Sequence, residues 1–195
     1  MKLELCDKRK AIIAQAGHLL VLGGPGSGKT TIALLKARQR FVTLKPGQEI
    51  LFLSFSRAAI RQVVLRCKEI LTPAERRAVT VQTYHAFCME MLEAHGRLLG
   101  GKPIRFLYPG EERLQKSAFD GDWQVERRRQ ATELGLYCFD LFAAGAAELL
   151  ERCVALRNLI ADHFPMIIVD EFQDTDDDQW KIVKALSEVT DVFCL

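Results

Sequence analysis

The sequence predicts an α/β fold, a parallel sheet flanked by helices, and three observations predict it. Short apolar runs occur at Leu19–Leu22, Ile50–Leu53, Val79–Val81 and Met166–Val169, the pattern of strands buried on both faces. Most lead into a polar or glycine-rich turn and then into helical apolar spacing, as parallel strands require because crossovers join them. The chain has 195 residues, 49% hydrophobic and 27% charged, a balance that buries a core and excludes a disordered or fibrous protein.

Taken in order, the first run is followed by a helix over Thr30–Arg40 with Ile32 and Leu35 on one face. After the second, Ile60, Val63, Val64 and Cys67 recur at i, i+3, i+4 and i+7, so this helix too is amphipathic and packs on a sheet. Between about residues 95 and 130 the pattern weakens under Gly100, Gly101, Pro103, Pro109, Gly110 and Gly121. Residues 131–162 read as helical, with a stripe of Leu149, Leu150, Cys153, Val154, Leu156 and Ile160. The expected organisation is a sheet domain over 1–94 and 163–195, interrupted by a small, mainly helical insert over 95–162. Asp176-Asp177-Asp178 opens a helix through Ser187, and Val192–Leu195 begins another strand. A chain that stops inside a strand reads as cut.

No apolar run approaches the roughly 18 residues of a membrane span, and MKLELCDKRK has no secretory apolar stretch. The expectation is a soluble cytoplasmic protein with no membrane association. Cys6, Cys67, Cys88, Cys138, Cys153 and Cys194 lie far apart, without a C-x-x-C pair. They read as small buried hydrophobes in a reducing compartment, neither a zinc site nor a disulfide framework. The net charge of +2 conceals an asymmetry: residues 1–100 carry 16 Lys and Arg against 7 Asp and Glu, residues 101–195 carry 11 against 18. A basic front half attracts phosphates, and solvated helix faces give the same count.

Two motifs carry chemistry. Residues 23–30, GGPGSGKT, satisfy G-x-x-x-x-G-K-[ST] between an apolar strand and a helix, the context that makes the motif a phosphate loop. Its glycines let backbone N–H groups close on phosphate oxygens at a helix N-terminus. Lys29 then reaches the β- and γ-phosphates and the Thr30 hydroxyl ligates Mg2+. The second is MIIVDEFQDT at 166–175, which puts Asp170 and Glu171 at the carboxyl edge of a strand, where open α/β sheets bind ligands. Asp170 becomes the magnesium partner and Glu171 polarises the attacking water. Alone, such a pair could cap a helix.

GGPGSGKT, LSFSRAA at 53–59, TYHAF at 83–87 and VDEFQDT at 169–175, in that order, resemble motifs I, Ia, Ib and II of the UvrD/Rep class of superfamily 1 helicases. YCFDLF at 137–142 is similar to a stretch that precedes motif II in relatives. The resemblance implies a P-loop NTPase of RecA-like fold that binds ATP and Mg2+. It implies a nucleotide loop of Gly23, Gly24, Pro25, Gly26, Ser27, Gly28, Lys29, Thr30 and Thr31, metal ligands Thr30 and Asp170, and catalytic Lys29, Glu171 and Gln173. Ser54, Phe55, Ser56 and Arg57, with Thr83, Tyr84 and His85, resemble the elements that contact single-stranded DNA. An aromatic beside a His offers a stacking surface for bases, whereas Phe87, one helical turn before Met91, reads as core.

Two positions depart from the family pattern: Arg9 stands where relatives usually carry an adenine-reading Gln, and Thr31 where they often carry Arg. The insert is also shorter than is common. The resemblance further implies a second RecA-like lobe that presents arginines to the γ-phosphate, and a nuclease or repair partner. The chain by itself is expected to hold ATP-Mg without unwinding DNA. A rival reading is a non-unwinding P-loop module that regulates or scaffolds a nuclease or defence complex. A small-molecule kinase is disfavoured by DEFQDT and by the Ser54 and Tyr84 elements.

Overall fold

The computed structural model describes residues 5–24 and 26–195. Its elements run α1 (Asp7–Ala14), β1 (Leu19–Leu20), α2 (Lys29–Arg40), β2 (Ile50–Ser54), α3 (Arg57–Ile70), α4 (Pro73–Arg76), β3 (Val79–Thr83), α5 (Tyr84–His95), α6 (Arg97–Gly100) and β4 (Arg105–Leu107). The chain continues with α7 (Pro109–Ala118), α8 (Trp123–Arg129), β5 (Leu136–Cys138), α9 (Phe142–Arg152), α10 (Val154–His163), β6 (Met166–Val169), α11 (Asp177–Ser187) and β7 (Asp191–Cys194). Two compact units form: residues up to Thr83 with Ala155–Thr175 and Leu186–Leu195, and Tyr84–Val154 with Asp176–Ala185.

The first unit is the expected parallel sheet, in the order β1-β7-β6-β2-β3. β2 and β6 lie inside it and read as unbroken apolar runs because both faces are covered, with Leu51, Phe52, Leu53, Ile167, Ile168 and Val169 at 1% exposure or less. Ile32, Ala33, Leu34 and Ala37 of α2 and Val63 and Cys67 of α3 pack with Ile50, Phe52, Met166, Ile168 and Phe193. α3 starts where Ser56 Oγ accepts the Ala59 N–H at 3.0 Å, a side-chain cap on an otherwise orphaned donor. Lys36 is buried, and its ammonium donates to the carbonyls of Ile12, Ile13 and Gln15. It thereby ties the carboxyl end of α1 to α2, a cation at the favourable end of the helix dipole.

In the second unit α5 packs on α9, and Gly145 of α9 makes room for both neighbours: a Cβ there would stand 2.6 Å from the Tyr137 ring of β5 and 3.1 Å from Leu92 of α5. β4 and β5 form a separate two-stranded parallel ladder, Arg105 opposite Leu136 and Leu107 opposite Cys138. Trp123 packs with Leu107 and Cys138 while its Nε1–H donates to Glu112 at 3.1 Å, so the indole keeps its polar handle satisfied.

Several expectations need correction. Residues 131–162 are not one helical stretch. A π-helical turn at Gln130–Leu134 ends at Gly135 in the left-handed region, φ 67°, β5 follows, and an extended Cys153 separates α9 from α10. The second unit begins at Tyr84 and includes Asp176–Ala185, so it does not coincide with 95–162. Val64 lies exposed beside buried Val63 and Cys67. β1 is shorter than Leu19–Leu22, although Val21 N–H still donates to the Cys194 carbonyl at 2.9 Å. All six cysteines are free; Cys6 is exposed and Cys153 half-buried, so four of the six fit the buried reading. Burial pushes the Cys88 thiol up to about 12. Among the described residues no helix is long and apolar enough to cross a membrane.

Candidate functional site

The loop after β1, the turn after β6, the first turn of α2 and one face of α3 meet at the carboxyl edge of the sheet. They enclose a cavity of about 400 Å³ lined by Gly24, Gly26, Ser27, Gly28, Lys29, Thr30, Thr31, Ala59, Gln62, Val63, Arg66, Asp170 and Glu171. The loop's conformation needs glycine at two of these places, Gly26 at φ 75° and Gly28 at φ 84°. Gly28 is the N-cap of α2 and supplies no side-chain cap, leaving the first N–H groups of that helix for an anion. Lys29 Nζ donates to the Gly23 carbonyl at 2.7 Å and closes the loop on itself. Pro25, also expected in the nucleotide loop, lies outside the described residues.

Asp170 follows β6 directly, fixed by its N–H donating to the Leu53 carbonyl at 2.9 Å. It is 7% exposed. Burial, and then the neighbouring Glu171 carboxylate, push its carboxyl up, against the Glu171 N–H and Lys29, which pull it down. The Asp170 carboxylate shares the cavity lining with Thr30, and carboxylate and hydroxyl oxygens are the hard donors that divalent cations take. Glu171 has φ 51° and ψ 46°, the only non-glycine with positive φ among the described residues, a strained backbone of the kind that gathers at functional sites. The amide of Gln173 donates to its carboxylate. No cluster of three or more His, Cys, Asp or Glu side chains suited to a metal occurs among the described residues.

The residues expected at DNA divide in three. Ser54 and Thr83 end neighbouring strands opposite each other, but Ser54 is wholly buried and its hydroxyl has no hydrogen-bond partner among the described residues; it offers nothing at the surface. Ser56 is exposed and caps α3, Phe55 is half-buried, and Arg57 is exposed at the first turn of α3. Tyr84, expected as a stacking surface, is a core side chain at 1% exposure. His85 is half-buried and stacks on Phe139, ring centroids 3.9 Å apart and planes 7° from parallel, so one of its faces is already covered. Phe87 is core, as its spacing suggested.

Arg9 and two residues of α3 are the surprises. The Arg9 guanidinium donates to the Ser27 carbonyl at 3.0 Å and braces the loop, and Arg9 does not line the cavity. Gln62 and Arg66 do. The sequence did hold a signal for them: Ala59, Gln62, Val63 and Arg66 share one face of a helix that begins beside the loop.

Residues 6–135 and 124–195 match the model of the UvrD/REP helicase N-terminal domain. The chain belongs to that family. Its relatives within the family include YjcD of Bacillus subtilis (strain 168), 24% identical over 96% of this chain and 31% of the relative. The ATP-dependent DNA helicase UvrD1 of Mycobacterium leprae (strain TN) is 23% identical over 92% of this chain and 30% of the relative. The ATP-dependent DNA helicase Rep of Escherichia coli (strain K12) is 21% identical over 92% and 33%. The chain thus spans about a third of the length of the curated relatives it matches. UvrD/REP membership implies nucleotide binding by this α/β unit.

Proposed function

We propose that the chain is the ATP-binding lobe of a UvrD/Rep-like DNA helicase, which in the complete protein couples ATP hydrolysis to movement along single-stranded DNA and to unwinding. What supports this most is the convergence of the glycine loop, Lys29, Thr30, Asp170 and Glu171 on one cavity. The free N–H groups at the start of α2 and the loop backbone take the phosphates, and Lys29 adds a cation at the β- and γ-phosphates. Thr30 and Asp170 are the residues that would hold Mg2+, which when bound neutralises the phosphate oxygens. Glu171, oriented by Gln173, accepts the proton of the attacking water.

Single-stranded DNA is the proposed polymer ligand, met by Ser56, Arg57 and Thr83 of the sheet unit through phosphate contacts, and bound weakly and with steep salt dependence. A second RecA-like lobe that supplies arginines, a nuclease or repair partner, and a cytoplasmic location consistent with six free thiols complete the proposal. Calorimetric titration with ATP and Mg2+ tests its centre. Uptake by the parent chain and its loss in Lys29→Ala are expected; equal affinity in both would refute the site.

A further inference from the structure

The cavity has a half that phosphate chemistry leaves unused. Past the loop and the two carboxylates, its lining continues with Thr31 of α2 and with Ala59, Gln62, Val63 and Arg66 of α3. These four α3 residues stand at i, i+3, i+4 and i+7, so a single helix face looks onto the cavity. That face joins a small and a buried apolar side chain, Ala59 and Val63, to an amide and a planar guanidinium. A flat heteroaromatic ring with a polar edge fits that composition, because an amide donates and accepts together and a guanidinium stacks on ring faces. Arg66 is held along one edge by Glu69, Nη1 to Oε2 2.7 Å, with about half of its side chain exposed. An edge-on ion pair leaves the guanidinium plane available, and a surface pair of this kind costs little to rearrange. Arg9 is engaged with the Ser27 carbonyl.

We propose that α3, not α1, supplies the nucleoside contact: Arg66 lays its guanidinium along the base and Gln62 bonds the polar edge of the base. This rests on the ATP reading of the loop and names the specificity residues of the same site. With the triphosphate pinned at the start of α2, the base extends along Thr31 to the α3 face. Purine selectivity then belongs to Gln62, and affinity for the nucleoside half belongs to Arg66.

The test titrates the 195-residue chain calorimetrically with ATP, GTP and inorganic tripolyphosphate, each with Mg2+. Arg66→Ala is expected to weaken ATP about tenfold and to leave tripolyphosphate unchanged, the size of one lost cation–π contact. Gln62→Ala is expected to shrink the ATP to GTP ratio, again without touching tripolyphosphate. Thermal denaturation confirms that both variants fold, as their exposed positions predict. A parallel loss of ATP and tripolyphosphate in Arg66→Ala would make it a phosphate ligand and overturn the proposal. So would unchanged ATP affinity in both variants. A parent chain that takes up neither ATP nor tripolyphosphate would refute the nucleotide reading beneath it, a result distinct from the other two.

Discussion

The two units put part of their charge to different uses. In the second, long charged side chains pair with one another: Arg127 with Asp140 at 2.6 Å, Arg129 with both Glu126 and Glu133 at 2.8 Å, and Arg152 with Glu148 at 2.8 Å. The sheet unit has ion pairs too, among them Arg38 with Glu75 at 3.1 Å and Arg66 with Glu69 at 2.7 Å, but there Lys29, Asp170, Glu171 and Arg66 also line one cavity, and Asp170 is held where burial opposes its ionisation. Charge matched within a unit serves the fold, whereas charge collected around a cavity is set out for a ligand.

The largest expected effects break the sheet unit's side of this contrast. Lys29→Ala should weaken ATP at least a hundredfold by calorimetry, since the loop loses its cation and the bond that closes it. Glu171→Gln should keep that affinity and stop phosphate release in any assembly that hydrolyses ATP. Core losses of similar size should be felt by both units alike. Phe52→Ala in β2 and Trp123→Ala in α8 should each cost about 3–5 kcal/mol in denaturant unfolding.

Gly145→Ala sharpens the comparison from the other side, because its Cβ would meet the Tyr137 ring at 2.6 Å and Leu92 at 3.1 Å. A loss of about 1–3 kcal/mol is expected, with ATP affinity unchanged. Arg9→Ala should weaken ATP only a few-fold and leave the ATP to GTP ratio intact, since this guanidinium braces the loop. A collapsed ratio would return base reading to α1.

The smallest effect concerns His85, whose pKa burial holds below the ordinary imidazole value, against the pull of Asp176 and Asp140. Below about pH 6.5 the unfolded chain binds the proton more readily than the folded one. Stability should therefore fall as the pH drops through that range, and His85→Gln should lessen the slope of melting temperature against pH.

How far the sequence reveals all this depends on where each element lies. β2 and β6 are legible because strands buried on both faces leave continuous apolar runs, and the phosphate loop because its glycines, Lys and Thr serve one geometry. β4 and β5 are three residues each, too short to show a period, and β5 hides in a region whose leucines and alanines suggest helix. The polar positions of α3 read as a solvated face, since periodicity tells which side meets the sheet and nothing about a cavity at the helix's end. The burial of Tyr84 is hidden for a related reason: an aromatic at a strand-to-helix junction reads the same whether it turns outward or inward.

The backbone of Glu171 has an evolutionary corollary. At φ 51° and ψ 46° glycine would be more comfortable by about 1 kcal/mol, so a library selected only for folding should drift to Gly at this codon. The same library selected for turnover should hold Glu. Sequencing both populations would separate the pressure exerted by stability from that exerted by chemistry at a single residue.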